Sequence, residues 1–361
     1  DDRVGHALPD AAVPVLAVER ALSSAVYILV EGAHRTVPPR VSESVAASGP
    51  PEAFPPSESA AGRTVMAAAN GLWGDRIEQT HRPLAVPMSV RVDDADLALD
   101  GPSVTAAFPD ATPHLVVFVH GLGEDERWWM RPHDDSGRGY PDRLSSELPL
   151  TPVLVRYNTG LAVAENGRRL SALLDDLLAA WPLPVTSVSL VGHSMGGLVV
   201  RSACSTAAAA RAPWWPAADV AVTVGTPHNG APLAAAAGSA QAWLAGLPEG
   251  EPLSRILGAR STGIADLGGR SGTPLVRDVA HRWVAGTLLA KHDHALAHLL
   301  GDGLVPVTSA HAHGHDDAHE DDLVGPDPDV DDAHVAGAGH MRLLSHPEVY
   351  RHLARWLAPQ S

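Results

Sequence analysis

The sequence Gly192-His193-Ser194-Met195-Gly196-Gly197 contains the pattern Gly-x-Ser-x-Gly. An apolar run from Val185 to Val191 precedes it, and the stretch that follows, with Leu198, Val199 and Val200, is compatible with a helix. Strand, serine and helix in this order are what a nucleophile elbow requires. The turn is so tight that only glycine fits on either side of the serine without a clash. The pattern therefore predicts a serine whose hydroxyl is lifted clear of a sheet.

Composition limits the classes of protein to which the chain can belong. It has 361 residues, of which 45% are hydrophobic, and a formal net charge of −16. This predicts one large domain with an N-terminal extension. Nucleic-acid binding needs clustered cations, so we expect no nucleic-acid partner. Cys204 is the single cysteine and cannot form an intrachain disulfide. No apolar run reaches the roughly 20 residues that a membrane span needs.

The N-terminal part differs in pattern from the rest. Apolar residues at helical spacing between Val15 and Leu29 predict an amphipathic helix. A segment from Pro38 to Ala60, rich in Pro and Ser, predicts a flexible connection, and Ala60–Leu72 predicts a second helix. We therefore predict an N-terminal helical extension with a linker over residues 1–86. The chain begins without Met, which leaves a trimmed start and a removed signal as alternatives, with a cytoplasmic location slightly favoured over secretion.

From residue 87 onward the pattern predicts an α/β fold with a mainly parallel, doubly wound sheet. Alternation at Met88–Val92 predicts a half-buried edge strand, with Val104–Phe108 as its hairpin partner. Helical spacing predicts helices over 170–181 and 349–357. Apolar runs predict strands at Leu115–Val119, Val153–Tyr157, Val185–Val191, Val220–Val224, Trp283–Leu289 and His334–Ala338.

Two segments interrupt the alternation of strands and helices. Residues 229–270 are rich in Ala, Gly and Leu, and we interpret them as a helical cap over the site, with ordinary surface helices as the alternative. A cap would suit water-insoluble acyl chains. Residues 309–332 form an acidic, His-rich insertion whose ligands would suit zinc or nickel. Alternating histidines in a loop rarely make a preformed site, so we predict a solvated loop without a metal.

A serine hydroxyl is a weak nucleophile and needs a base, which is normally a histidine oriented by a carboxylate. Asp302 lies between two glycines after the Trp283–Leu289 strand, and His340 follows the last strand in a turn of small residues. Taken alone, Asp302 would be a helix N-cap and His340 a structural histidine. The chain order Ser194, Asp302, His340 favours a catalytic triad.

Catalysis of this kind also needs backbone donors for an oxyanion. The N–H of Met195, directly after the serine, is one candidate, and the N–H of Leu122 in the loop after the Leu115–Val119 strand is the other. His120 and His193 are expected to support the site without acting as the base. Two further residues, Trp128 and Trp129, are expected to line an acyl pocket, with capping of the core edge as the alternative.

Four motifs together resemble the α/β-hydrolase lipases and esterases. They are His120-Gly121-Leu122-Gly123, the Ser194 motif, Gly225-Thr226-Pro227-His228-Asn229-Gly230 and Gly301-Asp302-Gly303-Leu304-Val305. The third looks like bacterial lipases and the inositol-deacylase-like hydrolases. The resemblance covers roughly residues 115–357, and the N-terminal part is weakly similar to the helical leader of actinobacterial hydrolases of this group. The insertion between Asp302 and His340 is a departure from the shorter connection that such lipases often have.

The resemblance implies ester hydrolysis through an acyl-enzyme, with residues 87–361 as the catalytic domain and Ser194, Asp302 and His340 as the triad. It implies no cofactor, a small-molecule or lipid ester as substrate and transient contact with a lipid interface, and it leaves the oligomeric state open. An acyltransferase with the same triad is an alternative that no sequence feature separates. A catalytically silent binding protein on a hydrolase fold is another, which the presence of all three triad residues disfavours.

Overall fold

The computed structural model describes residues 60–80, 85–132, 137–231, 261–268, 271–289, 301–311, 323–324 and 329–359. The chain divides into two units, residues 1–65 and 66–361, and of the first unit only residues 60–65 are described. The predicted first helix and most of the predicted cap and His-rich insertion lie outside the described residues. The domain division at residue 86 stays a prediction. None of the helices in the described ranges is long and apolar enough to span a bilayer.

A mainly parallel sheet forms the centre of the fold, as predicted. Its strands are β1 Ser89–Val92, β2 Ala95–Asp96, β3 His114–Val119, β4 Thr151–Arg156, β5 Ser187–His193, β6 Ala218–Val224, β8 Ala280–Thr287 and β10 Val330–Ala336. Their order in the sheet is β10-β8-β6-β5-β3-β4-β1-β2, with β1 antiparallel to both β2 and β4 at one edge and the other pairs parallel. The short strands β7 Leu275–Val276 and β9 Leu323–Val324 pair separately.

Helices follow most of the parallel strands and cover both faces of the sheet. The α-helices are α1 Ala60–Thr80, α2 Gly101–Ala107, α3 Tyr140–Glu147, α4 Val163–Ala180, α5 Met195–Ala210, α6 Thr262–Asp266, α7 Val307–Ala310 and α8 Pro347–Trp356. Short 3-10 helices lie at Glu126–Met130, Trp215–Ala217 and His340–Ser345.

The central strand β3 explains why its sequence is a continuous apolar run. Leu115, Val117 and Val119 pack into a core with α4 and α5, whereas Val116 and Phe118 pack into a second core with α3 and α8. Successive side chains of a strand point to opposite faces, so a strand covered on both sides must be apolar throughout. The predicted doubly wound architecture is therefore confirmed.

The expected hairpin partner of β1 is wrong. Val104–Ala107 belongs to helix α2 and Phe108 caps its C-terminus. The helix forms because the Asp100 side chain accepts a hydrogen bond from the N–H of Ser103 (2.9 Å) and Pro102 suits the first helical turn. The partner of β1 is instead β2, with β4 on the other side. Nor is β1 half-buried, since Arg91 is buried and paired with Asp96.

Residues 66–80 of helix α1 pack on the loops that follow β3 and β4. A Cβ atom at Gly71 would lie 3.1 Å from the Cα of Gly123. The Asn158 side chain donates to the carbonyl of Gly74 (3.0 Å), and the Ser261 hydroxyl donates to that of Gly71 (2.6 Å). The helix therefore approaches its neighbours closely through glycines, and its own polar backbone atoms are part of the contact.

We predict that Gly160→Ala destabilises this packing. A Cβ at Gly160 would lie 2.1 Å from the carbonyl oxygen of Asn70 and 2.5 Å from the nitrogen of Gly74, so helix α1 must move. Overpacking of this kind costs about 1–3 kcal/mol in the free energy of unfolding, which urea denaturation measures. Gly101→Ala is the matched control, because a Cβ there meets nothing within 4 Å. Equal stability of the two variants would contradict the close approach.

Candidate active site

Ser194 lies in the turn between β5 and α5, with φ 52° and ψ −124°. This left-handed backbone is held by a hydrogen bond from its N–H to the carbonyl of Val224 (2.9 Å). A Cβ at Gly192 would lie 2.5 Å from the nitrogen of Gly197, and one at Gly196 would lie 2.4 Å from the carbonyl oxygen of Val119. The glycines around the serine are therefore required by close backbone contacts, as the motif predicts.

Asp302 and His340 meet although 38 residues separate them. The Nδ1 atom of His340 lies 2.7 Å from Oδ2 of Asp302, and both side chains are buried. The other oxygen, Oδ1, accepts hydrogen bonds from the N–H groups of Leu304 (3.0 Å) and Val305 (2.8 Å). The carboxylate thus orders its own loop and at the same time contacts the histidine. It does not cap a helix, because the next helix, α7, begins at Val307 with Pro306 as its N-cap residue.

The environment of His340 favours its protonated form. Burial on its own lowers the pKa of His340, but the charge of Asp302 and its hydrogen bond outweigh burial, and Glu124 adds to their effect. The net result is a pKa raised above the usual 6.5. As a base for a serine, His340 must be neutral, so it can act only at a pH above this raised value.

Contacts of the residues around Ser194 place it beside the Asp302–His340 pair. The ring of His193, the residue before the serine, lies 4.8 Å from the ring of His340, centroid to centroid. Gly225, at the end of β6 with φ 59°, makes room for the pair, since a Cβ there would lie 3.1 Å from Oδ2 of Asp302. Ser194, Asp302 and His340 therefore lie beyond the carboxyl ends of β5, β8 and β10, where sites of open α/β sheets form.

Among the residues that the structure describes, the N–H groups of the two predicted oxyanion donors have no hydrogen-bond acceptor. In the loop after β3, the N–H of Gly121 donates to Oε2 of Glu124 (2.6 Å), and that of Gly123 donates to Oγ1 of Thr159 (3.1 Å). The N–H of Leu122, between them, has no acceptor in the described part of the chain. Met195 begins helix α5, so its N–H has no partner within the helix.

The histidines expected to support the site are both fully buried. His120 stacks on Tyr157 at a centroid distance of 4.5 Å, and its Nδ1 lies 3.0 Å from the carbonyl oxygen of Gly121. Burial lowers the pKa of His120, which keeps it neutral. Nδ1 of His193 faces Glu124. Glu124 is not among the site residues predicted from the sequence, where its one signal is a position three residues after Gly121.

The two tryptophans have different surroundings. Trp129 is fully buried and makes edge contacts with Phe118 and His193, at centroid distances of 5.2 and 6.3 Å. It therefore packs in the core, as the alternative of capping the core edge expects, and the pocket-lining role of Trp129 stays a prediction. Trp128 is half-buried beneath the guanidinium of Arg131, 3.5 Å from the ring centroid, and its place in a pocket stays a prediction.

Comparisons with known proteins give one family and several solved structures. Residues 170–243 match the family model described as a PGAP1-like alpha/beta domain. A Bacillus licheniformis lipase in its mature form is 19% identical, over 76% of this chain and 100% of that chain, with a TM-score of 0.46. EstA from Clostridium botulinum is 13% identical, over 69% and 88%, with a TM-score of 0.43.

A carboxylesterase from Bacillus subtilis is 15% identical, over 82% of this chain and 97% of that chain, with a TM-score of 0.38. A search of curated proteins gave no match. The segment in the family match includes Ser194, strand β6 and the helix between them. With the strand order and the turn at Ser194, this match confirms the resemblance to the α/β hydrolases that the motifs indicate.

Proposed function

We propose that the protein is a serine carboxylester hydrolase of the esterase or lipase type, which works through an acyl-enzyme on Ser194. The observation that carries this proposal is the 2.7 Å contact between His340 and Asp302, next to a strained turn that presents Ser194. A serine nucleophile is activated when an imidazole takes its proton and a carboxylate orients that imidazole and stabilises its positive charge. The catalytic domain proposed for them is residues 87–361.

In the first half-reaction, Oγ of Ser194 attacks the ester carbonyl carbon while its proton passes to Nε2 of His340. Asp302 accepts the hydrogen bond from Nδ1–H, which fixes the tautomer that leaves Nε2 free and stabilises the imidazolium that forms. His340 then gives the proton to the departing alcohol oxygen. The acyl group remains on Ser194 as an ester.

The second half-reaction repeats these steps with water. His340 removes a proton from a water molecule, whose oxygen attacks the acyl carbon, and the proton returns to Oγ of Ser194 as the carboxylic acid leaves. In both half-reactions the carbonyl oxygen becomes negative and accepts hydrogen bonds from the N–H groups of Leu122 and Met195. Donors of this kind contribute roughly 3–4 kcal/mol each to transition-state stabilisation.

Hydrolysis of short p-nitrophenyl esters as a function of pH tests this function. We expect kcat/KM to fall as the pH decreases through an apparent pKa above 6.5, because the pKa of His340 is raised and only its neutral form is a base. The same assay with added alcohols measures the share of acyl groups that go to water. No hydrolysis of any ester, or an acid limb at or below 6.5, would contradict the proposal.

We propose a small-molecule or lipid ester as the substrate, as the resemblance of the four motifs implies, and no cofactor takes part in the steps above. The predicted cap over residues 229–270 lies mostly outside the described residues, so its proposed preference for water-insoluble acyl chains rests on its Ala and Leu content.

A further inference from the structure

A buried carboxylate that the mechanism above does not use lies behind the oxyanion loop. Glu124 is 6% exposed, although glutamates are almost never buried unless they are paired. Its Oε2 accepts the N–H of Gly121 at 2.6 Å. Its two oxygens, Oε1 and Oε2, lie 3.1 and 3.2 Å from Nδ1 of His193. Glu124 therefore connects Gly121, which precedes the proposed oxyanion donor Leu122, to His193, which precedes the proposed nucleophile.

His193 continues this chain of contacts to the proposed base. Its Nε2 lies 3.3 Å from the backbone carbonyl oxygen of His340. A carbonyl oxygen can only accept, so Nε2 carries a hydrogen. An ionised carboxylate can also only accept, so Nδ1 carries a hydrogen as well. With Glu124 ionised, as the lowered pKa of its carboxyl indicates, both contacts are satisfied when His193 is an imidazolium whose charge the carboxylate balances.

We propose that Glu124 is a positioning residue, and that the Glu124–His193 ion pair holds the oxyanion loop and the backbone of His340 in one arrangement around Ser194. The pair consists of a negative carboxylate and a positive imidazolium, so it buries one titratable proton and has no net charge. Its kinetic consequence rests on the function proposed above, whereas the protonation of His193 does not depend on that function.

The groups that face the pair support this assignment. Burial alone would raise the pKa of Glu124, but His193 and the N–H of Gly121 outweigh it, and the net pKa is lowered. Burial keeps the pKa of His120 low and that of Tyr157 well above its usual value, so both rings are neutral.

Three further charges or titratable groups lie around the pair. Arg131 is on the same loop and interacts with Glu124 through its charge. His340 lies against the His193 ring, and Asp302 contacts the far side of His340. A second imidazolium 4.8 Å from His340 would oppose the positive charge that His340 gains in the reaction. Glu124 compensates that charge, so the pair as a whole adds no net charge beside His340.

Glu124→Gln tests the pair with little change of shape. The Gln carbonyl can still accept from Gly121, and its amide can donate to Nδ1 of His193, which then must be a neutral imidazole. We expect kcat for p-nitrophenyl esters to fall roughly tenfold to 100-fold with KM little changed, because a neutral amide–imidazole contact holds the oxyanion loop and His340 less firmly than the charge-assisted pair, whereas the substrate contacts remain.

Imidazole ¹⁵N NMR spectra of the full chain report the protonation state of His193, which a purely structural role of Glu124 would leave unchanged. In spectra recorded under the conditions of the activity assay, we expect both ring nitrogens of His193 to be protonated in the wild type and only one in Glu124→Gln. The spectrum of His193→Asn assigns the signals. The wild-type spectrum is decisive even if Glu124→Gln does not fold, because a neutral His193 in the wild type would overturn the proposal.

Glu126→Gln is the matched control. Glu126 is also buried on the same segment, but its partners are Arg156 (2.7 Å) and Arg91 (3.5 Å). We expect this variant to lose stability while its folded form keeps kcat and the His193 spectrum. Unchanged kcat in Glu124→Gln, with wild-type hydrolysis still dependent on Ser194, would also overturn the proposal. Failure of the proposed function would instead appear as a wild type without Ser194-dependent turnover.

Discussion

Ser194→Ala is expected to lower kcat for ester hydrolysis by roughly 10⁶-fold while the protein stays folded. The loss is this large because the covalent intermediate cannot form, and the oxyanion donors and substrate binding retain only a small residual rate. Stability should change little, since the Ser194 side chain has no hydrogen-bond partner among the residues that the structure describes. Initial rates with p-nitrophenyl esters and the Tm of both proteins measure the two effects.

Ser205→Ala is the control for this substitution. Ser205 lies on the same helix α5, ten residues beyond Met195, and is half-buried. Its replacement should leave kcat and KM unchanged. A Ser194→Ala protein that keeps activity within tenfold of the wild type would mean that another group is the nucleophile.

Asp302→Asn is expected to lower kcat by roughly 10⁴-fold. The Asn oxygen can still accept the N–H groups of Leu304 and Val305, so the loop should survive. Its amide nitrogen would then face Nδ1 of His340 and donate to it. The imidazole would carry its hydrogen on Nε2, so it could not take the proton of Ser194.

The pH dependence distinguishes this effect from simple loss of structure. Because the charge of Asp302 contributes to the raised pKa of His340, the acid limb of the residual activity should move to lower pH in Asp302→Asn. Asp331→Asn is the control, since Asp331 pairs with Arg355 (2.7 Å) at the exposed side of β10. An Asp302→Asn protein with wild-type kcat would assign the triad carboxylate to another residue.

The sequence predicts the parts of the fold and site that depend on local pattern. β3 must be apolar throughout because its two sides pack into different cores. Ser194 and Asp302 lie next to glycines because their turns leave no room for a side chain at Gly192, Gly196 or Gly301. Such requirements act over a few residues and are therefore visible in the chain itself.

Features that depend on distant partners could not be predicted in the same way. Glu124 is buried because it meets His193, 69 residues later in the chain. Trp128 and Trp129 are neighbours in sequence, and the ring that turns inward, Trp129, packs on Phe118, which lies on the earlier strand β3. Val104–Phe108 has apolar residues at both ends, as a strand can, and the deciding signals, Asp100 and Pro102, lie just before it.

Covalent trapping of the nucleophile tests the central claim most directly. The full chain is treated with a fluorophosphonate, digested and mapped by mass spectrometry, with Ser194→Ala treated in parallel. We expect one phosphonyl adduct in the wild type, on the peptide that contains Ser194, and none in the variant. An unmodified wild type, or an adduct on a different serine, would contradict the assignment of Ser194 as the nucleophile.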